Sequence, residues 1–276
     1  MGDGRLLIDA PASGARNMAV DEALLEGVGD GGRPCLRFYR WREPTLSLGY
    51  FQPLADRRLH DASGSIPVVR RVTGGGAIVH DRELTYSLVL PIRDRWAAAH
   101  RELYDRIHGA IVGWLRQLGL SSARLHPGLP QDDEPFLCFQ RRSDGDVEGD
   151  GYKVLGSAQR RTRTAMLQHG SLLLGRSRFA PELPGVWDLI AQSGRSDKGG
   201  STAVEGSEPV DTADGTPSDP GDEAARVRAA IAALGDLIGH AIEIEWAGSE
   251  LTEQERSAAD RWERERFLAR SWTGRR

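Results

Sequence analysis

Apolar positions recur along the chain with two distinct periods. Between residues 15 and 28, Val20, Leu24 and Val28 fall four apart with Leu25 beside them, the spacing of one face of an amphipathic helix. Gly27, Gly29, Gly31 and Gly32 then end it. Residues 36–41, rich in aromatics with alternating charge, and 45–50, starting after Pro44, predict strands. Short strands are expected at 68–71 and 77–79, on either side of a glycine break. Another is expected at 84–90, where Leu84, Tyr86, Leu88 and Leu90 alternate. The helical period returns over 97–118, with Leu103, Ile107, Ile111, Trp114, Leu115 and Leu118 on one stripe. Gly119 stands where a left-handed C-cap glycine belongs.

A polar, proline-containing loop then leads to Phe136-Leu137-Cys138-Phe139. Strands are expected at 153–157 and 166–174, joined by the basic turn Arg160-Arg161-Thr162-Arg163. Residues 193–222 are dominated by Gly, Ser, Asp, Pro and Thr, with little to bury, which predicts a flexible insertion. Val227, Ile231, Leu234 and Ile238 mark another helix, 242–246 a strand, and Thr252 with Glu255 a capping box opening a last helix through about residue 268. A strand-rich middle with helices before, within and after it predicts an α+β fold of mixed and antiparallel sheets flanked by helices, with 1–192 and 223–276 forming one domain.

Composition narrows the functional classes. The 276 residues are 39% hydrophobic and 28% charged, with 36 basic and 40 acidic side chains and a formal charge of −4, so no global field draws in nucleic acid. No apolar run is long enough to span a membrane, and Leu6-Leu7-Ile8 is too short for the apolar region of a secretion signal. The expected compartment is the cytoplasm. Two cysteines without a Cys-x-x-Cys pattern argue against a disulfide framework and a zinc site.

Three segments carry candidate chemistry. In Arg70-Arg71-Val72-Thr73-Gly74-Gly75-Gly76-Ala77-Ile78-Val79-His80-Asp81, three glycines let backbone approach a ligand, and their amides can face an oxyanion beside two arginines. A glycine hairpin with two solvated arginines accounts for the same residues equally well. No Gly-Lys-Ser/Thr follows, so the loop is not a nucleotide P-loop, and strand rather than helix follows the glycines, which excludes a dinucleotide fingerprint. Lys153 opens an apolar strand ahead of the small residues Gly156, Ser157 and Ala158 and can bind a carbonyl, carboxyl or phosphate oxygen, or lie at a strand edge. His169, beside Gly170 in an apolar strand, reads by itself as a hydrogen-bonded core histidine. Cys138 reads as a nucleophile or as a small buried apolar residue, and Cys35 as the latter only.

Taken together, the segments at 70–81, 153–160 and 168–174, with Asn17-Met18-Ala19-Val20-Asp21-Glu22-Ala23-Leu24 and Pro44-Thr45-Leu46-Ser47-Leu48-Gly49-Tyr50-Phe51-Gln52, resemble the lipoate/biotin protein ligase and transferase superfamily. The similarity covers almost the whole chain outside 193–222. Within it, Cys138 in Leu-Cys-Phe with Lys153 downstream, Asp81-Arg82-Glu83-Leu84-Thr85-Tyr86-Ser87, and the closing Trp272 are similar to LipM-type octanoyltransferases. The resemblance implies an octanoyl-[acyl-carrier-protein]:protein N-octanoyltransferase of lipoate biosynthesis, with a biotin/lipoate ligase catalytic fold. It implies octanoyl-loaded acyl carrier protein as donor and a lipoyl-carrier lysine, of glycine-cleavage H protein or dehydrogenase E2 domains, as acceptor. It implies Cys138 and Lys153 as catalytic residues, and Arg70, Arg71, Gly74, Gly75, Gly76, His80, Gly156, Ser157, Ala158, His169 and Gly170 as substrate-binding residues. No cofactor is expected. ATP and magnesium enter only if the chain is instead an ATP-dependent lipoate–protein ligase, and a non-catalytic acyl- or carrier-binding protein is the third reading.

In the transferase reading Cys138 takes the acyl group as a thioester, a form that is both easily made and easily broken. Lys153 as a cation favours the thiolate and holds the oxyanion. Either Lys153 or His169 takes the acceptor's proton. Leu155 and Val79 are expected along an acyl tunnel, and Arg70, Arg71, Arg160, Arg161 and Arg163 to meet an acidic carrier protein or simply to lie solvated.

Overall fold

Leu84, Tyr86, Leu88 and Leu90 are drawn into a strand by their alternation, but the polar positions between them are buried too, so the strand is covered on both faces. The computed structural model describes residues 2–129, 134–196 and 220–275. Its elements run β1 (Gly2–Ile8), α1 (Gly14–Gly29), β2 (Cys35–Tyr39), β3 (Thr45–Leu48), β4 (Val68–Arg70), β5 (Ile78–His80), β6 (Glu83–Pro91), α2 (Arg95–Ala98), α3 (His100–Gln117), β7 (Arg124–Leu125), β8 (Val147–Gly149), β9 (Tyr152–Arg161), β10 (Ala165–Leu173), α4 (Val186–Ser196), α5 (Pro220–Ile242), β11 (Ile244–Gly248), α6 (Glu253–Trp262) and α7 (Arg270–Thr273). An eight-stranded mixed sheet has the order β11-β1-β2-β6-β10-β9-β8-β7, and a three-stranded sheet the order β4-β3-β5.

Each face of the large sheet has its own core. Leu36, Leu88, Leu155 and Leu172 pack against Ile107 and Ile111 of α3 and Leu234 and Ile238 of α5. On the other face Leu7, Cys35, Val89 and Leu167 meet Val20, Leu24 and Val28 of α1 and Ala258 and Ala259 of α6. Leu46, Leu48 and Val79 of the small sheet pack against Phe136, Leu137 and Phe139, which fixes the chain just before and after Cys138. At roughly 1.5–3 kcal/mol for each fully buried large apolar side chain, these cores hold the loops that carry polar chemistry.

The α+β expectation agrees with this architecture, and differences lie at element ends. The helix read over 97–118 is two helices, because the chain leaves helical geometry at Ala99 (φ −91°, ψ 41°) and the Asp94 carboxylate caps the Trp96 amide at 2.9 Å. Gly119 has φ +105° as its position requires. The Thr252–Glu255 capping box forms, but α6 gives way to π-type winding over Glu263–Phe267. The strand expected at 242–246 starts later, at Ile244. Three strands gave too little pattern to read: β1 and the short β7 and β8. Of the expected insertion at 193–222, its first residues belong to α4 and its last to α5, and 197–219 lie outside the described residues, as do 130–133 of the proline-containing loop.

Candidate functional site

The hairpin register brings together segments that are distant in sequence. Antiparallel pairing of β9 and β10 sets His169 opposite Ala158, Gly170 opposite Ser157 and Ser171 opposite Gly156. Across β10, β6 sets Tyr86 opposite Gly170 and Thr85 opposite Ser171. Asp150 and Gly151, both at positive φ, form the two-residue turn that starts β9 and sends Lys153 back toward β8.

Cys138 is brought to the same place by backbone. Ala77 donates to Phe136 O at 2.9 Å and Cys138 donates to Ala77 O at 2.7 Å, a short bridge between the segment after the glycine loop and the cysteine turn. That approach needs Gly76. A Cβ there would stand 2.9 Å from the Cys138 nitrogen and 3.0 Å from its Cα. Arg71, fully buried, donates to the carbonyls of Gly74 and Gly76, both at 2.7 Å, and so fixes the loop. Among the described residues the amides of Gly74, Gly75 and Gly76 make no hydrogen bond, so they remain available as donors.

Lys153 reaches this loop from below. Its Nζ lies 3.8 Å from Cys138 Sγ, 3.3 Å from Cys138 O and 2.7 Å from Asp146 Oδ2. Gly156 leaves the amine its space, since a Cβ there would sit 2.5 Å from Lys153 Cε. Burial works against the Lys153 charge, but Cys138 and Asp146 outweigh it and hold the ammonium form above the ordinary lysine range. Asp146 is itself held by the Tyr104 hydroxyl at 3.0 Å and the Ser143 amide at 2.7 Å. The site therefore contains a thiol and a carboxylate that both neighbour one ammonium, and Cys138 is only partly buried.

These groups open on a cavity of about 300 Å³, within the range of small-ligand sites. Met18, Tyr39, Trp41 and Ile78 give it an apolar side, and Gly74, Gly75, Gly156, Ala158 and Gly170 leave backbone bare along it. Trp41 stacks on His80 with centroids 3.7 Å apart, and its Nε1 donates to Thr85 Oγ1 at 3.0 Å. His80 lines the cavity but both ring nitrogens are engaged, by Glu83 at 2.7 Å and Ser47 at 2.8 Å. Burial lowers its pKa. His169 lines it too, with Nε2 2.7 Å from Thr73 Oγ1 and Nδ1 3.4 Å from Asp21 Oδ2.

Several expected site residues have other roles. Arg70 is buried away from the cavity, where it donates to Gly49 O, Gln52 O and Thr273 O and ties the C-terminal segment to the small sheet. Gly76 serves the approach of Cys138 and is not part of the wall. The tunnel residues named from sequence, Leu155 and Val79, belong to packed cores. Ile78, one position earlier on β5 and thus on its other face, lines the cavity instead. Arg160, expected to meet a carrier protein, pairs with Glu22 and stays part-exposed beside the cavity. Cys35 is fully buried, and desolvation pushes its thiol up to about 12.

Sequence reading passed over Asp146, Tyr104 and His108. The Asp150-Gly151 pair was a hairpin signal that would have put Asp146 on a strand entry beside Lys153. His108, four residues after Tyr104 on α3, has its ring 3.9 Å from the Tyr104 ring and accepts no exposure to solvent. Its Nδ1–H donates to Gly145 O at 2.7 Å, so its Nε2 accepts from Ser157 Oγ at 2.7 Å. Ser157 in turn accepts from the Tyr86 hydroxyl at 2.8 Å. Ser157 thus lines the cavity with its hydroxyl already committed.

Burial depresses the His108 pKa from 6.5 to about 4. Above pH 6.5 neither the folded nor the unfolded chain protonates it, so its stabilising contribution is complete there. As pH falls toward the folded value only the unfolded chain gains the proton, which costs the fold about 3 kcal/mol. Urea midpoints measured from about pH 7 to about pH 4.5 should therefore fall more steeply for the wild type than for His108→Gln. Equal slopes would mean that another group carries this pH dependence.

Comparisons with known proteins agree with the architecture. The model of the lipoyl protein ligase A/B catalytic domain matches residues 13–179. Octanoyltransferase LipM of Carboxydothermus hydrogenoformans is 40% identical over 166 residues, 59% of this chain and 61% of the relative. LipM of Oceanobacillus iheyensis is 39% identical over 61% of this chain and 63% of its own length, and that of Clostridioides difficile 36% identical over 63% and 66%. The chain thus aligns with less than two thirds of the length of these relatives. A lipoate-protein ligase A bound with ATP superposes with a TM-score of 0.67 at 24% identity, covering 99% of this chain and 98% of its own. A structure from an archaeal lipoylation system, described as a bipartite lipoate protein ligase and its E2 lipoyl domain from Thermoplasma acidophilum, gives 0.63 at 24% identity, with 99% and 97% covered. At this identity the likeness concerns the fold.

Proposed function

Because this chain belongs to the lipoyl protein ligase A/B catalytic-domain family, we propose that it is an acyltransferase that moves octanoyl from acyl carrier protein, through a thioester on Cys138, to a lysine of a lipoyl-carrier protein. The observation that carries this reading is the ammonium of Lys153 lying 3.8 Å from Cys138 Sγ while paired with Asp146 at the wall of an acyl-sized cavity. The similarity to octanoyltransferases LipM points the same way.

Cys138 Sγ attacks the donor's carbonyl carbon. The Lys153 ammonium and the free amides of the glycine loop oppose the charge that develops on oxygen. The donor's carbon–sulfur bond then breaks and its thiolate leaves with a proton. In the second step the acceptor amine attacks the same carbonyl, Cys138 leaves, and the proton lost by the amine replaces the one taken by the donor. Thioester exchange and aminolysis balance in this way without a nucleotide. Met18, Tyr39, Trp41 and Ile78 receive the alkyl chain. Each buried methylene contributes about 0.8 kcal/mol, roughly fourfold in affinity, until the cavity is filled.

Intact-protein mass spectrometry after mixing with octanoyl–acyl carrier protein, without ATP, tests the reading. An octanoyl adduct that maps to Cys138 and persists in Cys35→Ala is expected, since the Cys35 thiol is buried and too basic to react. Lipoate-dependent pyrophosphate release with no adduct would identify a ligase. Acyl binding with neither would identify a binding protein.

A further inference from the structure

A second concavity, of about 460 Å³, shares Gly74 and Gln159 with the Cys138 cavity. It therefore adjoins the Cys138 cavity at the glycine loop, and among the described residues no acidic side chain lines it. Arg160, Arg266 and Arg275 do. Arg160 and Arg266 both pair with the one buried carboxylate of Glu22, and Arg275 makes no ion pair among the described residues. The Arg275 guanidinium lies over the rings of Tyr50, at 4.6 Å, and Trp272, at 4.9 Å. Among the described residues, three guanidiniums against one carboxylate leave this concavity with a net positive charge, beside the exposed ring of Phe51.

This arrangement has a chemical counterpart. A thioester donor presents its acyl group at the end of a pantetheine arm whose other end is a phosphate ester. With the acyl carbon at Cys138, an arm that leaves on the side of Gly74 and Gln159 passes directly into this second concavity. Its uncharged part then meets aromatic rings, and its anionic end meets arginines. We propose that Arg275, with Arg266 and Arg160, binds the phosphate ester of the donor's pantetheine arm; the proposal rests on the acyl-transfer reading. Guanidinium is suited to this task because it offers a planar set of donors to phosphate oxygens. The Tyr50 and Trp272 faces hold Arg275 in place before the ligand arrives.

The test compares acylation of Cys138 by octanoyl-pantetheine, which lacks the phosphate, and octanoyl-4′-phosphopantetheine, followed by quenched-flow mass spectrometry. The wild type should prefer the phosphorylated donor about tenfold in kcat/KM, a preference that weakens with added salt. In Arg266→Ala/Arg275→Ala, checked for an unchanged melting temperature, the preference should fall below about twofold. A wild type indifferent to the phosphate, or a double variant that keeps the preference, overturns the site while leaving acyl transfer intact. If neither donor acylates the wild type, the acyl-transfer reading itself fails and the site with it. Octanoyl–coenzyme A and octanoyl–acyl carrier protein share the phosphate ester and should lose equally in the double variant. Loss confined to the carrier protein would mean that the arginines read its protein surface, and would also overturn the proposal.

Discussion

Replacing Cys138 by alanine is expected to abolish acyl transfer, by at least about a thousandfold in kcat, the scale on which loss of a nucleophile is felt in enzymes that work through a covalent intermediate. The fold should hardly respond. Cys138 is only partly buried, and the packing around it is supplied by Leu137 and Phe139, so the variant's melting temperature should stay close to the wild-type value. Cys138→Ser is the sharper form of the same experiment. The hydroxyl keeps the volume and sits beside the same ammonium, but it is a far weaker nucleophile near neutral pH, so the octanoyl adduct should vanish while donor binding survives. Turnover in Cys138→Ala at anything near the wild-type rate would eliminate the thioester route.

Removing the Lys153 charge is the second large effect, and it separates chemistry from stability. Lys153→Met should slow formation of the acyl-enzyme by about 10²–10³-fold, the usual cost of losing one preorganised oxyanion partner. It also strands Asp146, which is 2% exposed and, among the described residues, keeps only Tyr104 and the Ser143 amide. An unpaired buried carboxylate costs the fold about 3–5 kcal/mol, so this variant should melt well below the wild type. Asp146→Asn combined with Lys153→Met removes both charges. Most of the stability should return, and acylation should not. If the double variant acylates near the wild-type rate, Lys153 is a structural partner of Asp146 and nothing more. The raised Lys153 pKa keeps the ammonium charged through neutral pH. Its stabilising contribution is complete below the ordinary lysine value and is lost only as pH rises through the folded one.

The periodic elements were readable because their signal is local. Val20, Leu24 and Val28 fall on one face of any helix they form, and Leu84 through Leu90 alternate in any strand. The site was readable in its parts: the glycine loop, Cys138, Lys153, and the pair His169 and Gly170. Its connections were not. Asp146 carries no periodic signal and acquires a role only when the turn at Asp150 and Gly151 folds β8 against β9. His108 sits on an apolar helical stripe, where burial predicts nothing about the hydrogen bonds it makes with Gly145 and Ser157. Val79, expected along the acyl tunnel, proves to be packed in a core, and its neighbour Ile78 lines the cavity, because the small sheet fixes which face of β5 looks inward.

By itself, then, the amino-acid order determined the class of fold and the two kinds of periodic element, because backbone geometry translates residue spacing directly into faces; it singled out Cys138 only through the motifs that resemble a known family. Only the tertiary structure decided that Arg70 ties down carbonyls while Arg71 supports the glycine loop. It also decided that the lysine fifteen positions after Cys138 stands 3.8 Å from its sulfur, and that a carboxylate holds that lysine charged. Those facts depend on strand register and on which core each loop is anchored to, and both are set by contacts among residues far apart in the chain.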